Sequence, residues 1–251
     1  MASPRTHDRS NASAAAWTIE ELVARQAFGA SAARPGLVAG SIRLDHPASG
    51  IVFDGGDETP WPGSLLGLVL DPAAERAAGG QVEVIPPTDR WVRGDDVVAI
   101  YEPQDPRSLR ATAMWRRWPT EKPSVAAWEL VVSCQTSLLE SDATVSVRTL
   151  IPAGEIASQA ATAALLRTAS GTSVLVATHP LEARRLTIRA EPFLGADAAV
   201  AIECHLFPSV VEKGVLLRGR VLAAVGPREN DTEWSARLLD AFAASPPPLT
   251  T

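Results

Sequence analysis

The sequence predicts an all-β protein, a large two-sheet antiparallel β-sandwich with two or three peripheral helices; an α+β fold is the alternative. Three observations favour the sandwich. Short segments of alternating apolar and polar residues recur along the chain, proline and glycine separate these segments, and stretches with helical periodicity are few. Regular strand spacing of this kind is typical of sandwiches and barrels.

The chain of 251 residues is long enough for one large β domain with a substantial buried core. We expect a single β-sandwich domain over residues 16–245. Residues 1–15 are small, polar and aperiodic, which predicts a disordered N-terminal tail. Residues 246–251 begin with three helix-breaking prolines and are expected to form a loose C-terminal tail.

The strands are predicted from period-two alternation between turn residues. They are expected at residues 42–44, 51–53, 64–70, 81–85, 89–93, 97–102, 107–118, 126–138, 144–150, 173–178, 184–191, 198–207 and 215–225, with residues 210–211 as a short partner.

Three segments favour helices. Thr18 and Glu21 resemble a capping box that opens a short helix. Residues 155–168 are rich in alanine and have apolar residues near helical spacing. A last helix is predicted after Asn230 or Asp231, with an apolar face that should pack on a sheet, and the prolines that follow Ser245 should end it.

The segment AMWRRWP, residues 113–119, is the most distinctive in the chain. If residues 107–118 form a strand, Trp115 lies on its apolar face, and Trp118, Arg116 and Arg110 lie on the opposite face. A regular strand therefore cannot present both tryptophans to one ligand. Trp118, Arg116 and Arg110 are the candidate binding residues, a shelf for a sugar or a carboxylate, with an arginine–indole contact as the structural alternative.

The next strand is predicted to form a hairpin with this one. Matching the two apolar faces places Trp115 opposite Trp128, with residues 119–124 as the loop. The opposite face of residues 126–138 is mixed, because Val131 and its neighbours Val125 and Ala127 are apolar. We expect a helix or another subunit to cover that face.

Composition and charge disfavour several classes of function. The formal net charge is −6, which disfavours nucleic acid as a partner. The sequence has neither a secretory-type N-terminus nor an apolar run long enough to span a bilayer, so we expect a cytoplasmic protein without a membrane partner. Cys134 and Cys204 both fall on apolar strand faces, which favours buried free thiols; a disulfide is the alternative.

Three further residues are secondary candidates for a site. His179 precedes a proline and should lie at a strand end or in a turn. His205 and Glu203 alternate outward on one strand and share a face, so they could support acid–base chemistry, although such spacing is common. The remaining histidines, His7 and His46, fall in the tail and before a proline.

The chain carries none of the common catalytic, nucleotide-binding or zinc-binding motifs. The acidic, glycine-containing residues 54–58 lack the spacing of a calcium loop, so no metal and no cofactor are indicated. The segment at residues 93–100 weakly resembles residues 195–202, which could indicate a duplication of two similar sheets.

No residue pattern fixes the function. The preferred hypothesis is a non-catalytic binding or interaction protein, for carbohydrate or for a protein partner, because the chain has seven tryptophans and one tyrosine. The alternative is an enzyme acting on a sugar or a small acid, comparable to epimerases and mutarotases by fold analogy only. A small-molecule or carbohydrate ligand, a protein partner and a homo-oligomer are all compatible with the sequence.

Overall fold

A computed structural model describes residues 17–27, 39–54, 63–70, 84–104, 108–142, 144–151, 154–180, 185–191, 199–207 and 210–246. The predicted tails, residues 1–15 and most of residues 246–251, lie outside the described residues, as do His7 and residues 55–58 of the acidic loop. The division into tails and one domain stays a prediction.

The described chain forms eighteen strands and one α-helix, α1 (Asp231–Ala244). The strands are β1 (Trp17–Glu20), β2 (Val23–Ala27), β3 (Ala39–Arg43), β4 (Ile51–Asp54), β5 (Ser64–Val69), β6 (Asp89–Arg93), β7 (Asp96–Tyr101), β8 (Leu109–Trp118), β9 (Ala126–Thr136), β10 (Glu140–Asp142), β11 (Ser146–Ile151), β12 (Gly154–Gln159), β13 (Ala163–Thr168), β14 (Thr172–Thr178), β15 (Arg185–Glu191), β16 (Ala199–His205), β17 (Val210–Glu212) and β18 (Leu217–Pro227).

Two eight-stranded antiparallel sheets pack face to face, which confirms the predicted all-β sandwich. The strand order is β1-β2-β3-β4-β5-β11-β16-β15 in the first sheet and β12-β13-β14-β18-β9-β8-β7-β6 in the second. The short strands β10 and β17 pair with each other as a separate ribbon. One core cluster draws its apolar side chains from both sheets.

Both predicted core cysteines are buried free thiols in that cluster, Cys134 from the second sheet and Cys204 from the first. Burial raises the pKa of the Cys134 thiol to about 12. The pKa of Cys204 is raised as well, first by burial and then by Glu203. Both sulfurs are therefore neutral, small apolar groups at neutral pH.

The first predicted helix is wrong, because residues 17–27 form the β1–β2 hairpin. The turn passes through Glu21, which has a φ of 54°. Ala24 and Gln26 are fully buried at alternate positions, and the Gln26 amide oxygen accepts a hydrogen bond from the Trp128 indole across the core. Burial at alternate positions favours a strand here, and the β-branched residues of the segment favour a strand as well, so the capping-box pattern does not produce a helix.

The second predicted helix is also wrong, because residues 154–168 form the β12–β13 hairpin. Ala164 and Leu166 face the core between the sheets, whereas Leu165 faces the opposite side of its sheet. A strand that is covered on both faces has apolar residues at consecutive positions, which erases the alternation. Without the alternation, the high alanine content is the remaining signal, and it favours a helix. Packing on both faces of the sheet produces a strand instead.

The predicted last helix is confirmed as α1, which packs on the outer face of the second sheet. Val125 and Ala127 lie beneath it, while Val131 packs with Val98 and Met114 further along the same face. Over Val125 and Ala127, the expected cover is therefore this chain's own helix. Asn230 precedes it in the left-handed conformation, with a φ of 59° and without a side-chain capping hydrogen bond.

The β8–β9 hairpin has the predicted faces but not the predicted register. Trp115 lies opposite Leu130, and Trp128 lies opposite Arg117, so the pairing is shifted by two residues. A shift of two residues keeps every side chain on its face. The apolar pattern therefore cannot distinguish the predicted register from the observed one. Trp115 and Trp128 are both fully buried, as expected, but they are not cross-strand partners.

Candidate functional site

The predicted shelf lies on the outer face of the second sheet. Trp118 is half-buried and packs edge-on against Phe242 of α1, with ring centroids 5.4 Å apart at 89°. The helix therefore occupies one side of the indole. A sugar stacked on Trp118 would have to use the part of the ring that α1 leaves uncovered.

The two arginines of the shelf have separate carboxylate partners. The Nε of Arg116 lies 3.6 Å from Asp96 and 3.8 Å from Glu129, and the Nε of Arg110 lies 2.9 Å from Glu102. Six residues of strand, about 20 Å, separate the two arginines. The structure thus places Arg116 near Trp118 and does not bring Arg110 to it, and the shelf stays a prediction.

His179 belongs to a buried cluster under the last turn of α1. The Nε of Arg220 lies 2.6 Å from Glu129, and its other guanidinium nitrogens donate to the carbonyl and the hydroxyl of Ser245. His179 packs edge-on against Phe242, which also lies beneath the Arg220 guanidinium. This cluster attaches the helix to the second sheet, and the structure separates His179 from Glu203 and His205, which lie in the first sheet.

Glu203 and His205 lie on the outer face of the first sheet, as the alternation predicts. Their strand, β16, runs between β11 and β15, and the registers on both sides align side chains in rows across the three strands. His205 is flanked by Ser146 and Arg185, and Glu203 is flanked by Arg148 and Thr187. Cross-strand partners point to the same face of a sheet.

These side chains, with Arg189 from the next row, form what we call the Glu203 face. Its members are Ser146, Arg148, Arg185, Thr187, Arg189, Glu203 and His205.

The Glu203 carboxylate is the centre of this face. It is 2% exposed, and one of its oxygens, Oε1, accepts hydrogen bonds from Arg148 at 3.2 Å and from Arg189 at 3.4 Å. Arg189 lies opposite Ala201, whose small side chain leaves room for the guanidinium to reach back to Glu203. The carboxylate is thus fixed between two cations, one buried and one about one-third exposed.

The polar groups around Glu203 differ in accessibility. The Thr187 hydroxyl and the Nε2 of His205 are 3.4 Å apart, and both residues are partly exposed. Arg185 is exposed. The Ser146 hydroxyl is buried and has no hydrogen-bond partner among the described residues. Donors, acceptors and charges of both signs therefore lie within three adjacent strands.

A tight turn bounds this face beside Arg148. Gly67 lies opposite Arg148, and a Cβ on Gly67 would lie 2.1 Å from the Ala48 carbonyl oxygen, so the 3₁₀ turn Pro47–Ser49 packs directly on β5. The preceding residue, Leu66, is fully buried with a φ of 58°. Its N–H is bonded to the Thr149 hydroxyl where the β5–β11 register shifts. This bulge allows the turn to stand next to the site.

Sequence reasoning missed five members of the face: Ser146, Arg148, Arg185, Thr187 and Arg189. Alternation assigns each to an outward face of its own strand, but only the order β11-β16-β15 brings them around Glu203. An available signal was the arginine pair at positions 185 and 189 with Thr187 between them, a polar outward face on a strand with apolar inward residues. Among the described residues, no three His, Cys, Asp or Glu side chains cluster as metal ligands would.

No family model matches the sequence, and no curated protein does either. Solved structures share the arrangement of strands weakly. A provisionally assigned mutarotase from Salmonella typhimurium is 11% identical with a TM-score of 0.49, covering 85% of this chain and 97% of that one. A provisionally assigned kojibiose phosphorylase from the human microbiome is 5% identical with a TM-score of 0.42, covering 90% and 29%.

A heparan sulfate lyase from Pedobacter heparinus is 8% identical with a TM-score of 0.39, covering 82% of this chain and 33% of that one. The chain thus spans about a third of the length of the phosphorylase and the lyase. Likeness at this level assigns neither a family nor a function. None of the helices that the structure describes is long and apolar enough to cross a bilayer.

Proposed function

We propose that the protein binds a small polar molecule, a sugar or a small acid, on the Glu203 face. The observation that carries this proposal is the buried Glu203 carboxylate held between Arg148 and Arg189. Removing charges from water costs several kcal/mol per ion, and an apolar group of similar shape is often at least as stable. A charged cluster on the outer face of a sheet, with Arg189 about one-third exposed, is therefore a candidate for contact with a ligand.

The neighbouring groups suit hydroxylated ligands. Thr187 and His205 supply a hydroxyl and an imidazole at the exposed side of the face, above a carboxylate whose position is already fixed. Convergent polar groups that are held in place before the ligand arrives are typical of small-molecule sites. Because these groups come from three adjacent strands, the sheet itself sets their spacing.

A second candidate is an enzyme acting on the same class of ligand. The observation that favours it is that Glu203 and His205 share the outer face of β16, about 7 Å apart along the strand. A carboxylate and an imidazole at this separation could act on opposite sides of one small substrate as acid and base. Turnover of any molecule that binds, followed by NMR, would separate this candidate from simple binding.

Calorimetric titration of neutral sugars and small carboxylic acids tests the binding proposal. We expect at least one to bind, and we expect Arg189→Gln and Glu203→Gln to weaken it about tenfold or more, because each loses a charged hydrogen bond. Arg25→Gln is the matched control, since it breaks an exposed Arg25–Glu20 ion pair on the same sheet. Thermal melts identify variants that lose affinity through unfolding.

Two outcomes contradict the proposal. One is that no compound in the panel binds. The other is that affinity survives Arg189→Gln and Glu203→Gln but is lost in Trp118→Phe, which would move the site to the shelf predicted on the second sheet. A protein partner and a homo-oligomer stay predictions. The molecular mass of the protein in solution tests the homo-oligomer.

A further inference from the structure

Arginines outnumber carboxylates among the described side chains of the Glu203 face, in a protein whose formal net charge is −6. Its described side chains include three arginines, Arg148, Arg185 and Arg189, and one carboxylate, Glu203. Arg148 and Arg189 both contact Glu203. Glu191 is the last residue of β15, whereas Arg185 is its first.

Arg185 is the guanidinium best placed to meet a ligand. It lies opposite His205 in the register of β15 and β16, it is exposed, and no described carboxylate lies within ion-pair distance of it. Arginine presents a planar fork of N–H donors that matches the two oxygens of a carboxylate. Such a fork at the rim of a small-molecule site is suited to an anionic group.

The same row contains groups that suit hydroxyls. His205 lies between Arg185 and Ser146, and the Ser146 hydroxyl is buried without a hydrogen-bond partner among the described residues. A buried polar group without a partner is costly, and a ligand hydroxyl would satisfy it. The row therefore combines an anion-binding fork with two hydroxyl-binding groups, His205 one strand spacing (about 5 Å) and Ser146 two strand spacings (about 10 Å) from Arg185.

We infer that the ligand of the Glu203 face is a sugar acid or a related hydroxy acid, whose carboxylate is bound by Arg185 while its hydroxyls meet His205 and Ser146. This inference rests on the proposed function, because it names the class of ligand for that same face. It excludes neutral sugars as the preferred ligands. Arg148, Arg189 and Glu203 position the face beneath the ligand.

Matched pairs of ligands test the inference by calorimetry. D-Glucuronate is compared with D-glucose, and D-galacturonate with D-galactose, so that each pair differs only in the carboxylate. We expect the acid of at least one pair to bind about tenfold or more tightly than its neutral partner. The preference should shrink at high salt, since an exposed ion pair is screened.

The variant Arg185→Gln should abolish the preference for the acid, because the glutamine amide carries no charge to pair with the carboxylate. Arg25→Gln, an exposed arginine on the same sheet, should change neither affinity. Because Arg185 is exposed, its replacement should leave the thermal melt of the protein unchanged.

The possible results are distinguishable. If acid and neutral sugar bind equally, or if Arg185→Gln keeps the preference, the inferred ligand class is overturned while the proposed function stands. If no member of either pair binds, the inference and the proposed binding of these sugars both fail. A preference that disappears in Arg185→Gln and persists in Arg25→Gln supports the inference.

Discussion

At the scale of single residues, His179 shows how burial changes a side chain's chemistry. It is 2% exposed and packs edge-on against the Phe242 ring, over which the Arg220 guanidinium also lies. Burial lowers the pKa of His179, and the charge of Arg220 lowers it further, whereas hydrogen bonds to the carbonyls of Ala243 and Ser245 act in the opposite direction. The neutral imidazole is therefore the form that the folded protein favours.

We predict that His179 makes the protein less stable in mild acid. A histidine whose folded-state pKa is lowered contributes fully above its ordinary value of 6.5, and the contribution is lost as the pH falls through the folded-state pKa. The free energy of unfolding, measured in urea between about pH 7.5 and about pH 5, should fall more steeply in the wild type than in His179→Asn. Equal slopes in the two proteins would contradict this assignment.

At the scale of elements, the helix α1 is held at both ends. At its start, both oxygens of Asp231 accept hydrogen bonds from Arg167, at 2.7 and 3.0 Å, and Ser173 donates to the same carboxylate at 2.7 Å. The hydrogen bond from Arg167 is the main cause that lowers the pKa of Asp231, against its burial. At its end, Arg220 donates to Ser245.

Asp231→Asn should loosen the helix. The change removes the charge that Arg167 and Ser173 contact, and with it a favourable negative charge at a helix start, so we expect the free energy of unfolding to fall by about 1–3 kcal/mol. Hydrogen exchange should accelerate in α1 before it does in β18. Glu233→Gln is the control, because that first-turn carboxylate is half-exposed and should matter by no more than about 0.5 kcal/mol.

The elements also show what a sequence pattern can and cannot predict. Most strands and α1 follow from the apolar pattern of each segment and from the turn residues that bound it. The hairpins β1–β2 and β12–β13 carry patterns that predict helices, because the polar Gln26 occupies a buried position and β13 is covered on both faces. The shared face of Glu203 and His205 was predictable from one strand, whereas Arg148 and Arg189 required the strand order.

At the scale of the whole molecule, hydrogen bonds through the core join the two sheets. Trp115 donates to the Leu66 carbonyl at 2.9 Å, Trp128 donates to Gln26 at 3.3 Å, and Tyr101 donates to the Leu44 carbonyl at 2.9 Å. Each donor lies in a strand of the second sheet; Leu66 and Gln26 lie in strands of the first, and Leu44 directly follows β3. These hydrogen bonds are directional and fix the position of one sheet relative to the other. Apolar contacts alone are less specific.

We predict that Trp115→Phe destabilises the protein by about 1–3 kcal/mol, because the Leu66 carbonyl loses its indole donor in a dry core and the smaller ring leaves space. Urea unfolding followed by far-UV circular dichroism measures the change. Trp91→Phe should cost less than about 0.5 kcal/mol, since the side chain of Trp91 is 38% exposed. Equal losses in both variants would show that the cross-sheet bond contributes nothing.

The position of β18 has a consequence for how the protein is made. This strand joins β14 to β9 and is the last strand in the described chain, so the second sheet consists of two separate halves until it arrives. A ribosome releases β6–β9 and β12–β14 well before residues 217–227, and the facing edges of β9 and β14 stay open for that interval. Open strand edges invite pairing with other chains. We therefore expect the nascent chain to depend on chaperones until translation has passed β18.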